Sequence, residues 1–158
     1  MKIEAVDFFY VSMPEVTDAG DGSQDALLVR VQAGGFEGWG ECEASPLVSI
    51  AAFVCPMSHG ACQPVAASVL GRTVSEPSDI GRIASAVAWN SMDLLQAAHT
   101  WSGIEIALWD LLGRARSAVP VRSGNLDTLY HKRVNVHSCR LPIIDLLFAI
   151  AHSASPFT

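Results

Sequence analysis

The chain has 158 residues, 50% of them hydrophobic, and a formal net charge of −6. This length fits one domain, or one domain with an additional fragment, and the hydrophobic fraction is sufficient for a core. The acidic balance, with only two lysines, Lys2 and Lys132, argues against a nucleic-acid partner, because phosphate binding needs clustered Lys and Arg.

Residues 1–45 predict the strands of an antiparallel sheet. The segment "KIEAVDFFYVSM" is rich in aromatic and β-branched residues. In "DALLVRVQA", apolar and polar positions alternate, so that one face carries Leu27, Val29, Val31 and Ala33. Gly34–Gly35 predicts a hairpin turn into "FEGWGECEAS", where small residues alternate with larger ones. The small-residue face predicts that another backbone approaches closely.

Helices are predicted after the strands. The segments are "HGACQPVAASVLG", "EPSDIGRIASAVAWN" with an N-cap at Ser78 or Asp79, and "MDLLQAAHTWSGIEIALWDLLGRARSA" as one long helix or two abutting ones. The order of elements predicts an α+β fold, in which a three-stranded antiparallel β-meander is followed by a helical bundle.

The last of these helices contains two carboxylates within an apolar pattern. Its apolar stripe comprises Trp101, Ile104, Ala107, Leu108, Leu111 and Ala115. Glu105 and Asp110 are five positions apart, so they diverge by roughly 140° around the helix axis and cannot act on one substrate atom as an acid–base pair must. Asp110 lies one turn before Arg114, which predicts an ion pair. We therefore interpret this helix as a packing element.

Two groups of residues contain side chains that can act as metal ligands. Cys55, His59 and Cys62 lie within eight residues, but no fourth zinc ligand is evident and the spacing is unusual. Glu37, Glu41 and Glu43 share a strand face, which alternation also produces on a solvated surface. A small zinc protein is therefore the weakest of three readings, and we expect no metal ligands. The sequence contains neither a G-x-S-x-G nor an H-E-x-x-H motif.

The sequence predicts a cytoplasmic protein without a membrane anchor. No basic segment followed by an apolar run indicates a signal peptide, and the longest apolar runs are shorter than the ~20 residues of a membrane helix. The four cysteines, Cys42, Cys55, Cys62 and Cys139, show no C-x-x-C spacing, and we expect them to be reduced thiols.

The segments "GFEGWGECEASP" and "WSGIEIALWDLLGRA", in this order within about residues 1–121, resemble the enolase superfamily, and in particular its mandelate racemase/muconate lactonizing enzyme branch. The resemblance implies that this part is the N-terminal capping domain. In that family, a following (β/α) barrel supplies the acid–base residues and the Mg²⁺ ligands for proton removal α to a carboxylate, which leads to racemase, dehydratase or cycloisomerase products. One departure is Thr100, where the family motif usually has Ala.

The resemblance also implies where substrate is recognised. Two loops of similar proteins project over the substrate, and they match roughly Val16–Gln24 and Ser45–His59. The candidate specificity residues in these loops are Asp18, Asp21, Ser23, Ser45, Ile50, Phe53, Met57 and His59. Local packing is at least as good an explanation for each of them taken singly. We expect a carboxylate-bearing substrate to bind only together with the barrel.

Residues 122–158 are interpreted as a divergent tail. "HKRVNVHSC" resembles a first barrel strand, but the carboxylates after Val121 are only Asp127 and Asp145, and the only lysine is Lys132. A barrel needs ~200 residues and Mg²⁺ chemistry needs about three carboxylates, so we expect this chain to be catalytically incomplete, with no cofactor of its own. Because the charged fraction of 16% is low, the alternative is a non-catalytic interaction or binding module that uses an exposed apolar helical face, with self-association as a further expectation.

Overall fold

The computed structural model describes residues 1–18, 24–42 and 45–117. The predicted fold class is confirmed, since one three-stranded antiparallel sheet is followed by helices. In chain order the elements are β1 (Ile3–Val11), β2 (Ala26–Ala33), β3 (Phe36–Cys42), α1 (Pro46–Val54), α2 (Val65–Val69), α3 (Pro77–Asn90) and α4 (Ala97–Ser117). The boundary expected at residue 121 and the tail 122–158 lie outside the described residues. None of the helices within the described ranges could cross a membrane.

The sheet is a meander in the order β1-β2-β3. The hairpin between β2 and β3 turns at Gly34–Gly35, where φ is +58° and +80°, values that glycine adopts without the cost a Cβ would impose. The predicted inward face of β2 is confirmed, because Leu27, Val29, Val31 and Ala33 are fully buried. The opposite face carries Arg30, whose guanidinium lies 2.8 Å from the Asp7 carboxylate.

Helix α4 lies across β3 and β2, and glycines allow its backbone to approach the sheet. A Cβ added to Gly38 or Gly40 would fall within 3 Å of α4 backbone atoms, and one added to Gly103 would collide with Cys42 Sγ. We call Gly38, Gly40 and Gly103 the glycine interface. The close approach predicted for the small face of β3 is thus confirmed, and α4 is a single helix across Gly103.

The carboxylate Asp110 of α4 has a packing role. Asp110 accepts a hydrogen bond of 2.9 Å from the backbone N–H of Trp39, on the free edge of β3, and pairs with Arg114 at 2.9 Å. The predicted ion pair is confirmed. Asp110 thereby also occupies a donor on an edge strand, a position that would otherwise be open to pairing with another chain.

The start of α3 differs from the sequence prediction. The N-cap is Glu76, with Pro77 in the first turn, and Asp79 is the third residue of the helix rather than its cap. Asp79 accepts hydrogen bonds from the backbone N–H groups of Ser75 (2.8 Å) and Glu76 (3.0 Å). The prediction was wrong because it followed the preference of Asp and Ser for the cap position, whereas Pro77 takes the first helical position and places the cap at Glu76, two residues before Ser78.

The segment expected as a loop after β3 contains helix α1, Pro46–Val54. Its run "PLVSIAAFV" has too few polar residues to show a helical period, although Ser49, Ala52 and Phe53 are buried at helical spacing. Helix α2 is also shorter than predicted: it begins at Val65, and residues 59–62 form a turn closed by a hydrogen bond from Cys62 N–H to His59 O at 2.9 Å.

Candidate functional site

The two segments predicted to recognise substrate leave the sheet at the same edge. Val11, at the end of β1, pairs with Ala26, and Leu27 pairs with Cys42 at the end of β3. We call this end of the sheet, where β1 and β3 end and β2 begins, the loop edge. Because neighbouring strands lie about 4.8 Å apart, the two segments leave the sheet roughly 10 Å from each other. Antiparallel topology therefore brings together two regions that are separated in sequence.

The chain between β1 and β2, residues 12–25, contains the first predicted loop, Val16–Gln24, and is closed at its base by Asp25. The carboxylate of Asp25 accepts a hydrogen bond from the Tyr10 hydroxyl and another, of 2.8 Å, from the backbone N–H of Met13. These two donors, Tyr10 first, hold the pKa of Asp25 below its ordinary value. The same hydrogen bond raises the pKa of Tyr10, because the phenolate could not donate it.

The second segment, residues 45–59, is held by its helix. Phe53 of α1 packs edge-on against Phe8 of β1, with ring centroids 5.0 Å apart. The hydroxyl of Thr100 in α4, which is fully buried, lies 3.0 Å from the backbone oxygen of Ser49 and 3.0 Å from that of Gln96, so its single proton is shared between the two acceptors. This contact gives a physical role to the departure from the family motif, because alanine could not donate it. Helix α1 is therefore fixed to both the sheet and α4.

The structure places the candidate residues in different environments. Asp18, Ser45, Met57 and His59 are exposed, Ile50 is half-buried and Phe53 is buried in the core. Asp21 and Ser23 lie outside the described residues. Phe53 and Ile50 face inward on α1, whereas its outer face presents Leu47 and Val48, which are 55% and 50% exposed. The role of the candidate residues in recognition stays a prediction.

Sequence reasoning did not identify Leu47, Val48 or Asp25. Leu47 and Val48 were missed because α1 was not predicted as a helix, so its outward face could not be assigned. Asp25 had a weak signal, its position directly before β2, but its partners Tyr10 and Met13 are known only from the strand register.

The described residues offer no metal centre. In residues 1–18, 24–42 and 45–117, no group of three or more His, Cys, Asp or Glu side chains could hold a metal ion. His59 Nε2 lies 3.4 Å from a carboxylate oxygen of Asp93, and Glu37 lies 3.7 Å from the Arg30 guanidinium. The zinc reading of Cys55, His59 and Cys62 therefore gains no support, and magnesium has no fitting ligand set in this part of the chain.

The loop edge is thus suited to binding rather than to proton transfer. Its outward groups are the apolar side chains of Leu47, Val48 and Met57, together with the exposed polar residues Ser45 and His59. Such a surface can contact a ligand and exclude water from it.

The family of the chain is shown by a family model that covers most of its length. The model of the family described as mandelate racemase / muconate lactonizing enzyme, N-terminal domain, matches residues 11–122. A solved structure described as a predicted mandelate racemase from Rhodobacter sphaeroides is 73% identical, with a TM-score of 0.71, over 73% of this chain and 29% of that chain. A mandelate racemase/muconate lactonizing enzyme-like protein from Rubrobacter xylanophilus DSM 9941 is 27% identical, with a TM-score of 0.45, over 73% of this chain and 25% of that one.

The chain matches less than a third of the length of either solved structure. A comparison with curated proteins finds no significant match.

Proposed function

This chain belongs to the mandelate racemase / muconate lactonizing enzyme family, whose N-terminal domain it contains, and we propose that it acts as the substrate-specificity cap of a proton-abstracting enzyme. The substrate class is a carboxylic acid with an acidic α-proton. In this proposal the loop edge covers the substrate, while a C-terminal barrel carries the chemistry.

The observation that carries the proposal is the placement of both segments at one edge. The segments that follow β1 and β3 leave the sheet side by side. Leu47 and Val48 of α1, and Met57 beyond the end of that helix, are exposed to solvent. Binding residues are commonly carried by loops on a rigid scaffold. A cap of this kind contacts substituents of the substrate and excludes water from the reacting carbon.

The proton transfer itself is assigned to the barrel. Glu105 and Asp110 do not converge on one point, and Asp110 is already engaged with Trp39 and Arg114. Magnesium, when bound in the family's complete enzymes, stabilises an enolate, and its ligands would belong to the barrel. The family match does not favour the alternative of an unrelated interaction module.

A chimera tests the proposal. Residues 1–117 of this chain would replace the structurally matched segment of the Rhodobacter sphaeroides protein, whose 73% identity supports correct docking. Exchange of the α-proton of a panel of 2-hydroxy and sugar acids in D₂O would be followed by NMR. For Leu47→Ala we expect the ratio of kcat/KM between a bulky and a small acid to change by about three- to tenfold, the size expected for removing methyl groups from a pocket.

The matched control is Leu70→Ala. Leu70 is also partly exposed, at 42%. It precedes Gly71, whose N–H donates to Ile3 O at the end of the sheet opposite to the loop edge. We expect this control to leave the substrate ratio unchanged. Equal ratios for Leu47→Ala, Met57→Ala and the control would contradict the proposal.

A further inference from the structure

One carboxylate contacts both ends of the chain between β1 and β2. Asp25 lies directly before β2, and its two oxygens accept hydrogen bonds from Tyr10, near the end of β1, and from Met13, beyond that end. It therefore joins the point where the chain leaves the sheet to the point where it returns.

These contacts extend the attachment to the sheet beyond the end of β1. The backbone of Met13, two residues after Val11, is held 2.8 Å from the Asp25 carboxylate. Hydrogen bonds to an ionised acceptor are stronger than neutral ones, so they fix the backbone of Met13 relative to the start of β2. The direction in which residue 14 leaves the loop edge is thus set at Asp25.

We propose that Asp25 is a positioning residue: by holding Tyr10 and Met13 it fixes the direction in which the chain leaves β1 at the loop edge, and so contributes to substrate selection without contacting substrate. This inference rests on the proposed function. It names a residue outside both predicted contact segments, since Val16–Gln24 ends one residue before Asp25.

The first test uses the full chain and a local readout. Glu15 lies two residues after Met13, and its side chain is exposed, so that a glutamate-specific protease can reach it. Cleavage after Glu15 also requires the flanking backbone to enter the protease, and the hydrogen bond from Met13 to Asp25 opposes this. We expect Asp25→Ala to accelerate this cleavage about tenfold, since hydrogen bonds to a charged group are lost. Tyr10→Phe, which removes one of the two contacts, should have a smaller effect in the same direction.

The matched control is Glu4→Ala. Glu4 also accepts a backbone hydrogen bond, from Gly34 N–H at 3.2 Å, but at the opposite end of the sheet. Its removal should leave cleavage after Glu15 unchanged. If Asp25→Ala and Tyr10→Phe are both cleaved at the rate of the parent chain, the inference is overturned.

The second test separates positioning from general stability and uses the chimera. Asp25→Ala should change the ratio of kcat/KM between bulky and small acids by about threefold or more, whereas a merely structural role would lower both values together. If Leu47→Ala changes the ratio and Asp25→Ala does not, the inference fails while the proposed function stands. If neither substitution changes the ratio, the proposed function fails and the inference fails with it.

Discussion

The glycine interface and the loop edge hold α4 and α1 in place by different physical means. At the glycine interface, backbone meets backbone, and Gly38, Gly40 and Gly103 leave no room for a Cβ. At the loop edge, contacts of individual side chains fix each element: the Thr100 hydroxyl and the Phe53–Phe8 ring contact hold α1, and Asp25 holds the backbone that follows β1.

The two kinds of contact differ in the substitutions that they tolerate. Close packing transmits any added volume into the core, so the glycine interface tolerates almost no substitution. A polar contact at an edge can be exchanged without repacking the core, and residues around it can vary. We therefore expect the scaffold to be sensitive to shape and the loop edge to be sensitive to individual hydrogen bonds.

Gly38→Ala should have the largest effect on stability. The added Cβ would collide with the Ala107 carbonyl oxygen and the Leu111 nitrogen, both backbone atoms that cannot rotate away, and we expect a loss of at least about 3 kcal/mol in the free energy of unfolding. The control is Gly113→Ala in α4, the helix that packs against Gly38, at a position where a Cβ meets nothing within 4 Å. It should stabilise the chain by about 1 kcal/mol. Urea unfolding measures both, and equal effects would remove the basis of the comparison.

Thiol labelling should distinguish the glycine interface from the loop edge. Burial raises the pKa of Cys42, the last residue of β3, to about 11, so at pH 8 its labelling by iodoacetamide should be at least about two hundredfold slower than in the urea-unfolded chain, where the pKa is near 8.5. Cys55, half-buried after α1, should show a smaller ratio. Variants that keep one cysteine each, with the others changed to Ser, allow the comparison. Equally fast labelling of both would mean that the glycine interface is open.

Thr100→Val tests the contact that holds α1. Valine keeps the shape but cannot donate to the backbone oxygen of Ser49, 3.0 Å away, so we expect a loss of about 1–2 kcal/mol. Thr100→Ser retains the hydroxyl and should cost less. Differential scanning calorimetry of the two variants provides the measurement; a more stable Val variant would show that the hydroxyl is not needed.

Asp79→Asn should have the smallest effect, and the effect should depend on pH. Hydrogen bonds from the N–H groups of Ser75 and Glu76 and from the Ser75 hydroxyl, with Arg82 adding its charge, hold the pKa of Asp79 below its ordinary value. Such a group stabilises the fold fully above the unfolded pKa of about 3.9 and loses this contribution as the pH falls towards the folded pKa. The variant should therefore melt a few degrees lower at pH 7.

Below about pH 4 the difference in Tm between Asp79→Asn and the parent chain should shrink. Other carboxylates titrate in both proteins and cancel in this difference. A difference in Tm that grows on acidification would contradict the assignment.

The strands and α4 could be predicted because their signals are local. In β2 every second residue is apolar, and in α4 the apolar residues recur at steps of three and four; Trp101, Ile104, Ala107, Leu108 and Leu111 are indeed buried. Helix α1 could not be predicted in this way, since nearly all its residues are apolar and no period separates its buried face from its exposed one. For the same reason, the candidate list contained inward-facing Phe53 and omitted outward-facing Leu47.

The fold class, the sheet order, the small-residue face of β3 and the family could all be predicted before the structure was known. Each depends on periodicity or on a motif, and both are properties of residues that are neighbours in the chain. Only the tertiary structure decided which side of α1 faces outward and which polar groups meet: Tyr10 with Asp25, 15 residues apart, and Ser49 with Thr100, 51 residues apart. Such pairs depend on strand register and on the position of α4 against the sheet, which no local pattern encodes.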